Sequence, residues 1–159
     1  MKKIISPDKM ILQCRDWKRN ARRIVFVSGH FALLHPGHIR LLEQARSYGD
    51  ILVVAVCSEA GGGGGEILES VAPIAERAEI LAALAAVDFV TVFEGGSAET
   101  IIGQLAPDVV VTGIDSRSVS ATGKGSGANA GPGPQIVRLP LEPGYSTKLL
   151  LERIAQLPA

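Results

Sequence analysis

All three histidines of this chain fall within nine residues, at His30, His35 and His38. Two of them bracket Pro36-Gly37, directly downstream of the apolar run Ile24-Val25-Phe26-Val27. A strand, a glycine-containing turn, and a helix with imidazoles in its first turn suit the binding of phosphate. Unpaired N–H groups and the dipole at a helix start attract an anion. Imidazoles beside them supply donors where charge develops in a transition state. Pro36 fits the first helical turn, where its missing N–H costs no hydrogen bond. Gly29 lets a nucleotide come close to the backbone, and His38 is placed to point from the helix start toward the anion.

Such a turn needs a rigid frame, and the rest of the chain alternates in a way that predicts one. A first helix is expected over 8–19, where Met10, Ile11, Cys14 and Trp17 recur at helical spacing. Strands are expected over 23–28, 51–57, 89–93, 108–112 and 136–139. Helices are expected over 36–48, 76–86, 97–105 and 146–157, with Ser97 and Ser146 as N-caps. This order predicts right-handed βαβ units and an α/β fold: a doubly wound, Rossmann-like parallel sheet in three α/β/α layers. The unbroken aliphatic runs suit strands covered on both faces. Ligands of such a sheet bind beyond the carboxyl ends of its strands, at the topological switch point.

Residues 1–159 read as one domain, with 1–20 as a helical lead-in. Two stretches interrupt the alternation: Gly61–Gly65, and the Gly/Ser/Ala/Pro-rich segment 116–134. Both follow a strand, so both are expected at the ligand-binding edge, and glycine content predicts mobility. Glu66-Ile67 follows the first glycine run where a phosphate loop would carry Lys and Ser/Thr, so that run reads as a surface loop.

Composition excludes several classes. The 16 basic and 16 acidic residues cancel, which leaves no excess of positive charge for a nucleic acid. Aromatic content of 4% offers no stacking platform for single strands. No apolar run approaches the roughly 20 residues that cross a membrane. The start, Met1-Lys2-Lys3-Ile4-Ile5-Ser6-Pro7-Asp8, lacks a signal-peptide apolar region, so a cytoplasmic protein is expected. Cys14 and Cys57 are too few for a disulfide framework, and Cys57, ending an apolar run, is expected to be a buried thiol.

The segment His35-Pro36-Gly37-His38 resembles the HxGH motif of the cytidylyltransferase-like nucleotidyltransferases. Further stretches are similar to one branch of that family, the adenylyltransferase domain acting on D-glycero-D-manno-heptose 1-phosphate. They are Asp16-Trp17 with Arg23-Ile24-Val25-Phe26, then Glu76–Leu84, Pro107–Val111, and Pro140-Leu141 with Gly144-Tyr145-Ser146-Thr147. The resemblance runs through nearly the whole chain, in order. It implies that a sugar-phosphate oxygen attacks the α-phosphorus of a nucleoside triphosphate, ATP or CTP, and that pyrophosphate leaves. The attacking group is already an anion, so positioning and charge stabilisation carry the catalysis.

The resemblance also implies roles. His35 and His38 would stabilise the pentavalent phosphorus. Ser146 and Thr147 would hold the β- and γ-phosphates at a helix start, and Arg77 would pair with phosphate. Ser28, Gly29, His30, Phe31 and Gly37 would line the nucleotide and phosphate site. Gly113 and Asp115 would meet the ribose or base. Mg2+ would bridge the phosphates, without a dedicated ligand cluster in the chain. A homodimer is compatible with the family, and a separate kinase would supply the phosphorylated sugar, a precursor of lipopolysaccharide. Simpler roles stand beside these. Ser146 is an N-cap, Arg77 pairs with Glu76 or Glu79 on a solvated face, Asp115 is a turn residue, and His30 fills space beside Phe31.

The chain departs from the family in places. The first turn, usually Gly-x-Phe-Asp, reads Gly29-His30-Phe31-Ala32. No Lys or Arg occurs between Arg46 and Arg77, where the family has a lysine. Lys-Gly-x-Asp is replaced by Thr112-Gly113-Ile114-Asp115. Arg117, Lys124 and Lys148 are the candidates to replace the missing charge. Two further readings therefore stand beside the heptose enzyme: a nucleotide-binding relative without turnover, and a transferase for another acceptor such as glycerol 3-phosphate or a pantetheine.

Overall fold

The computed structural model describes residues 3–57, 72–93, 98–113, 133–140 and 142–158. The glycine run 61–65, the segment 116–132, Ser97, Asp115, Arg117 and Lys124 lie outside the described residues.

The elements follow the predicted order: α1 (Pro7–Arg19), β1 (Ile24–Gly29), α2 (Pro36–Arg46), β2 (Ile51–Cys57), α3 (Ile74–Ala83), β3 (Phe89–Phe93), α4 (Ala98–Leu105), β4 (Val109–Gly113), β5 (Gln135–Leu139) and α5 (Thr147–Ala155). The five strands form one sheet in the order β3-β2-β1-β4-β5. Each adjacent pair is parallel. The chain therefore moves outward from β1 through β2 to β3, then crosses back to place β4 on the other side of β1.

Alternation within the strands divides the core. Val25, Val27, Leu52, Val54, Val56, Val109 and Val111 face Leu42 and Ala45 of α2 and Ala78, Leu81 and Ala82 of α3. Ile24, Phe26, Ile51, Val53, Ala55 and Val110 face Met10, Cys14 and Trp17 of α1 and Ile101, Ile102 and Leu105 of α4. Burial on both faces explains why these strands are continuous aliphatic runs. The lead-in extends the sheet edge, since Ile4 bridges Val90 in parallel. Lys3 fixes it by donating to the carbonyls of Leu84 and Val87 at 3.2 and 2.7 Å. Cys14 is buried, whereas Cys57, at the strand end, is only half-buried, because β2 leaves the core there.

An aspartate stands just before each of β2, β3 and β4, and each does the same work. Asp50 accepts from the Arg23 N–H at 2.7 Å, Asp88 from Leu52 at 2.8 Å, and Asp108 from Ile24 at 2.7 Å. Their own backbone N–H groups return the bond to the carbonyls of Arg23, Leu52 and Ile24. Each carboxylate thus fixes the start of one strand against its neighbour, and with it the register.

Candidate active site

At the switch point, beyond the carboxyl ends of β1 and β4, lies a cleft of about 320 Å3. Ser28, Gly29, His30 and Phe31 of the first turn line it, with His35, Gly37 and His38 of the α2 start. Gly113 at the end of β4 and Ser146 and Thr147 at the start of α5 close the other side. Val27, Leu41, Thr112, Glu142 and Tyr145 also line it, and none of these was marked by the motif reading. Tyr145 had a signal, since it sits between Gly144 and Ser146 in a matched stretch. Glu142 had none.

The first turn is held in an unusual conformation. Phe31 has φ 51°, a left-handed backbone that is strained for a residue with a side chain. Its ring is buried and meets His38 edge-on, with centroids 5.3 Å apart. The same ring covers Gly29, where an added Cβ would stand 3.1 Å from a ring carbon. His30 is exposed, and its Nδ1–H donates to the Cys57 carbonyl at 3.1 Å, tying the turn to the end of β2.

His35 is the N-cap residue of α2 and is buried; His38 lies one turn on. Their rings stack at 3.8 Å between centroids, 22° from parallel. Both Nδ1 atoms are buried without a hydrogen-bond partner. Burial pushes the His38 imidazole down to about 4, and His35 beside it adds to the effect. Burial also lowers His35. Both rings are therefore neutral near pH 7 in the ligand-free cleft. Gly37 between them makes the packing feasible: a Cβ there would stand 3.0 Å from His35 Nδ1 and 3.2 Å from the Tyr145 Cβ.

Ser146 caps α5, its Oγ accepting from the Leu149 N–H at 3.1 Å. The capping oxygen is an acceptor there, so the hydroxyl hydrogen stays available to the cleft. Lys148 lies on α5 outside the cleft lining and faces Glu152 at 3.9 Å.

Arg77 corrects the expectation of a solvated face. It is 3% exposed, and Glu76 and Glu79 are not its partners in any ion pair among the described residues. Its Nε donates to the Ala72 carbonyl at 2.7 Å and its Nη1 to the His30 carbonyl at 2.5 Å. It braces the first turn from behind rather than lining the cleft.

Comparison with known proteins agrees with this geometry. The family model described as cytidylyltransferase-like matches residues 26–123. The bifunctional protein HldE of Koribacter versatilis is 39% identical over 154 residues, covering 95% of this chain and 31% of that protein. HldE of Streptomyces coelicolor is 43% identical over 137 residues, covering 84% and 28%. The chain thus spans about a third of the length of the curated relatives it matches. Among solved structures, a lipopolysaccharide core biosynthesis protein from Thermoplasma volcanium superposes with TM-score 0.62 at 23% identity, over 76% of this chain and 98% of that one. Pantoate-beta-alanine ligase from Francisella tularensis superposes with TM-score 0.52 at 17% identity, over 69% and 56%. At these identities the structural likeness is one of fold.

Proposed function

This chain belongs to the cytidylyltransferase-like family, and from that premise we propose that its cleft transfers AMP from ATP to a sugar 1-phosphate, heptose 1-phosphate in particular. The observation that carries the proposal is the stacked His35–His38 pair at the start of α2, with two buried ring nitrogens that no group among the described residues satisfies. Buried polar atoms left unpaired are uncommon and call for a partner. Both rings line the cleft, so a polyphosphate spanning the starts of α2 and α5 would meet them there.

In this reaction an acceptor phosphate oxygen forms a bond to the α-phosphorus. The bond from that phosphorus to the bridging oxygen breaks, and pyrophosphate leaves with the electron pair. The rings begin neutral, each with one N–H to donate. The arriving anion favours the protonated form, so the proton is taken up where negative charge accumulates. Backbone N–H groups at the α2 and α5 starts and the Ser146 hydroxyl hold the remaining phosphate oxygens.

Among the described residues no group of three or more His, Cys, Asp or Glu side chains could hold a metal ion. Glu142, the one carboxylate among the described residues lining the cleft, is engaged by Arg40. In this reading Mg2+ enters as the counter-ion of the triphosphate rather than as a resident of the protein.

The choice of heptose rests on the matched stretches, Gly144-Tyr145-Ser146-Thr147 above all, and on the HldE relatives. Ala32 and Thr112, standing where the family carries an acid and a lysine, favour a second reading: binding of nucleotide without turnover. Pyrophosphate release, assayed with each NTP against a panel of sugar 1-phosphates, decides between them. The first reading predicts release with ATP and heptose 1-phosphate. Tight calorimetric binding of ATP, with no release across the panel, would establish the second.

A further inference from the structure

We propose that Glu142 reads a hydroxyl group of the phosphorylated acceptor and that Arg40 is the residue that positions it; this rests on the reading of the cleft as a sugar-phosphate nucleotidyltransferase site. The starting point is an electrostatic mismatch. A cleft that takes two phosphorylated substrates should avoid carboxylates, yet Glu142 is the acid among its described lining residues. Left bare, it would repel both anions.

It is not bare. Arg40 Nη1 is ion-paired with Glu142 Oε1. The Arg40 guanidinium carbon also lies 5.6 Å from the centroid of the Tyr145 ring. That ring lies 23° from parallel with His35, 6.4 Å between centroids, and His35 stacks on His38. The sequence Glu142–Arg40–Tyr145–His35–His38 is thus a continuous run of side-chain contacts from the cleft rim to the imidazole pair. Arg40 itself is not among the described lining residues; it offsets the charge of Glu142 by direct contact.

What remains exposed to the cleft is hydrogen-bonding capacity. An ionised carboxylate is acceptor-only and offers about four lone-pair positions, of which one bond to Arg40 uses one. The group that complements it is a neutral donor on a molecule whose charge lies elsewhere, which describes the hydroxyls of a sugar phosphate. Bonds to a charged acceptor are short and strong. A site built to bond a substrate hydroxyl also rejects an analogue that lacks it, because its own polar group is then left unpaired. Glu142 would therefore select polyhydroxylated acceptors over plain alkyl phosphates.

The test compares heptose 1-phosphate with n-propyl phosphate, a phosphate monoester without free hydroxyls, in wild type, Glu142→Ala and Glu142→Gln. In steady-state turnover, Glu142→Ala should raise KM for heptose 1-phosphate by about 10- to 100-fold, the loss expected for a hydrogen bond to a charged group. KM for ATP and kcat should each stay within about threefold, and Glu142→Gln should fall between wild type and Ala. Arg40→Met should raise KM for both anions, more so at low salt, and Arg40→Lys should recover part of that. Calorimetric titration of the two phosphates into nucleotide-free protein should show the preference for heptose 1-phosphate in wild type and its loss in Glu142→Ala. Equal KM and equal binding in wild type and Glu142→Ala overturn the inference while turnover by wild type leaves the transferase reading standing. Discrimination lost in Glu142→Ala without turnover by wild type does the reverse. Wild type that neither binds nor turns over the sugar phosphate overturns both.

Discussion

His35 and His38 lie face to face, 3.8 Å between ring centroids, each with a buried Nδ1 that no atom of the described residues satisfies. Two imidazoles at that separation cannot both be protonated without an anion between or beside them. Both rings are therefore neutral near pH 7 when the cleft is empty.

One consequence is a pH dependence of folding. His38 is held at about 4 and His35 is lowered in the folded state, whereas unfolded histidine titrates near its ordinary value of 6.5. Below about pH 6.5 the unfolded chain binds protons that the folded chain refuses, so stability falls as pH drops from there toward the folded values. Melting temperature measured from pH 7 to 4 without nucleotide should decline across that window. In His38→Gln the decline should be smaller. An identical profile in the two proteins would remove His38 as a contributor.

A second consequence concerns binding. ATP should raise both imidazoles and so take up protons as it binds near pH 6 to 7. Calorimetry in buffers of different ionisation enthalpy measures this directly. The observed heat should vary with buffer in wild type and vary less in His35→Ala.

Gly37 is the position where a single methyl disrupts the site. A Cβ there stands 3.0 Å from His35 Nδ1 and 3.2 Å from the Tyr145 Cβ, closer than ordinary contacts allow. Gly37→Ala should push the His35 ring or Tyr145 aside by a few tenths of an ångström and lower kcat by less than the roughly 100-fold that a 1 Å misplacement costs. The overpacking itself should cost about 1 to 3 kcal/mol. Chemical denaturation and turnover, measured on the same preparation, separate the two effects.

Arg77 makes a contrasting case. Its Nε and Nη1 donate to the carbonyls of Ala72 and His30, so its removal should appear in nucleotide-free protein. Arg77→Met should destabilise by about 2 to 4 kcal/mol, since it strips buried carbonyls of charged donors. Urea unfolding without ligand is the relevant measurement. Unchanged stability with weakened ATP binding would assign Arg77 to phosphate instead.

The fold and the HxGH turn were readable because they depend on local patterns. Ile24–Val27 and Ile51–Val56 announce strands buried on both faces, and Ser146 announces the start of α5. Helix ends were less so. The expected helix over 76–86 lies at Ile74–Ala83, because Pro73 opens it earlier and Leu84 takes an extended conformation with ψ 136°. The environment of Arg77 was not readable at all. Flanked by Glu76 and Glu79, it has the local pattern of a solvated face, and only the packing of α3 against the first turn buries it. Glu142 and Tyr145 were hidden in a similar way: their partner Arg40, 102 positions before Glu142, stands in the first half of α2. Side-chain partners so distant in sequence leave no spacing to read.

If the histidine pair acts on phosphorus, single-turnover transfer from ATP labelled at the α-phosphorus to heptose 1-phosphate measures that step. Wild type should form labelled nucleotide-sugar. His35→Ala and His38→Ala, verified as folded, should each lose at least about 100-fold in rate, the cost of one transition-state donor. Transfer by His38→Ala at the wild-type rate would contradict the account.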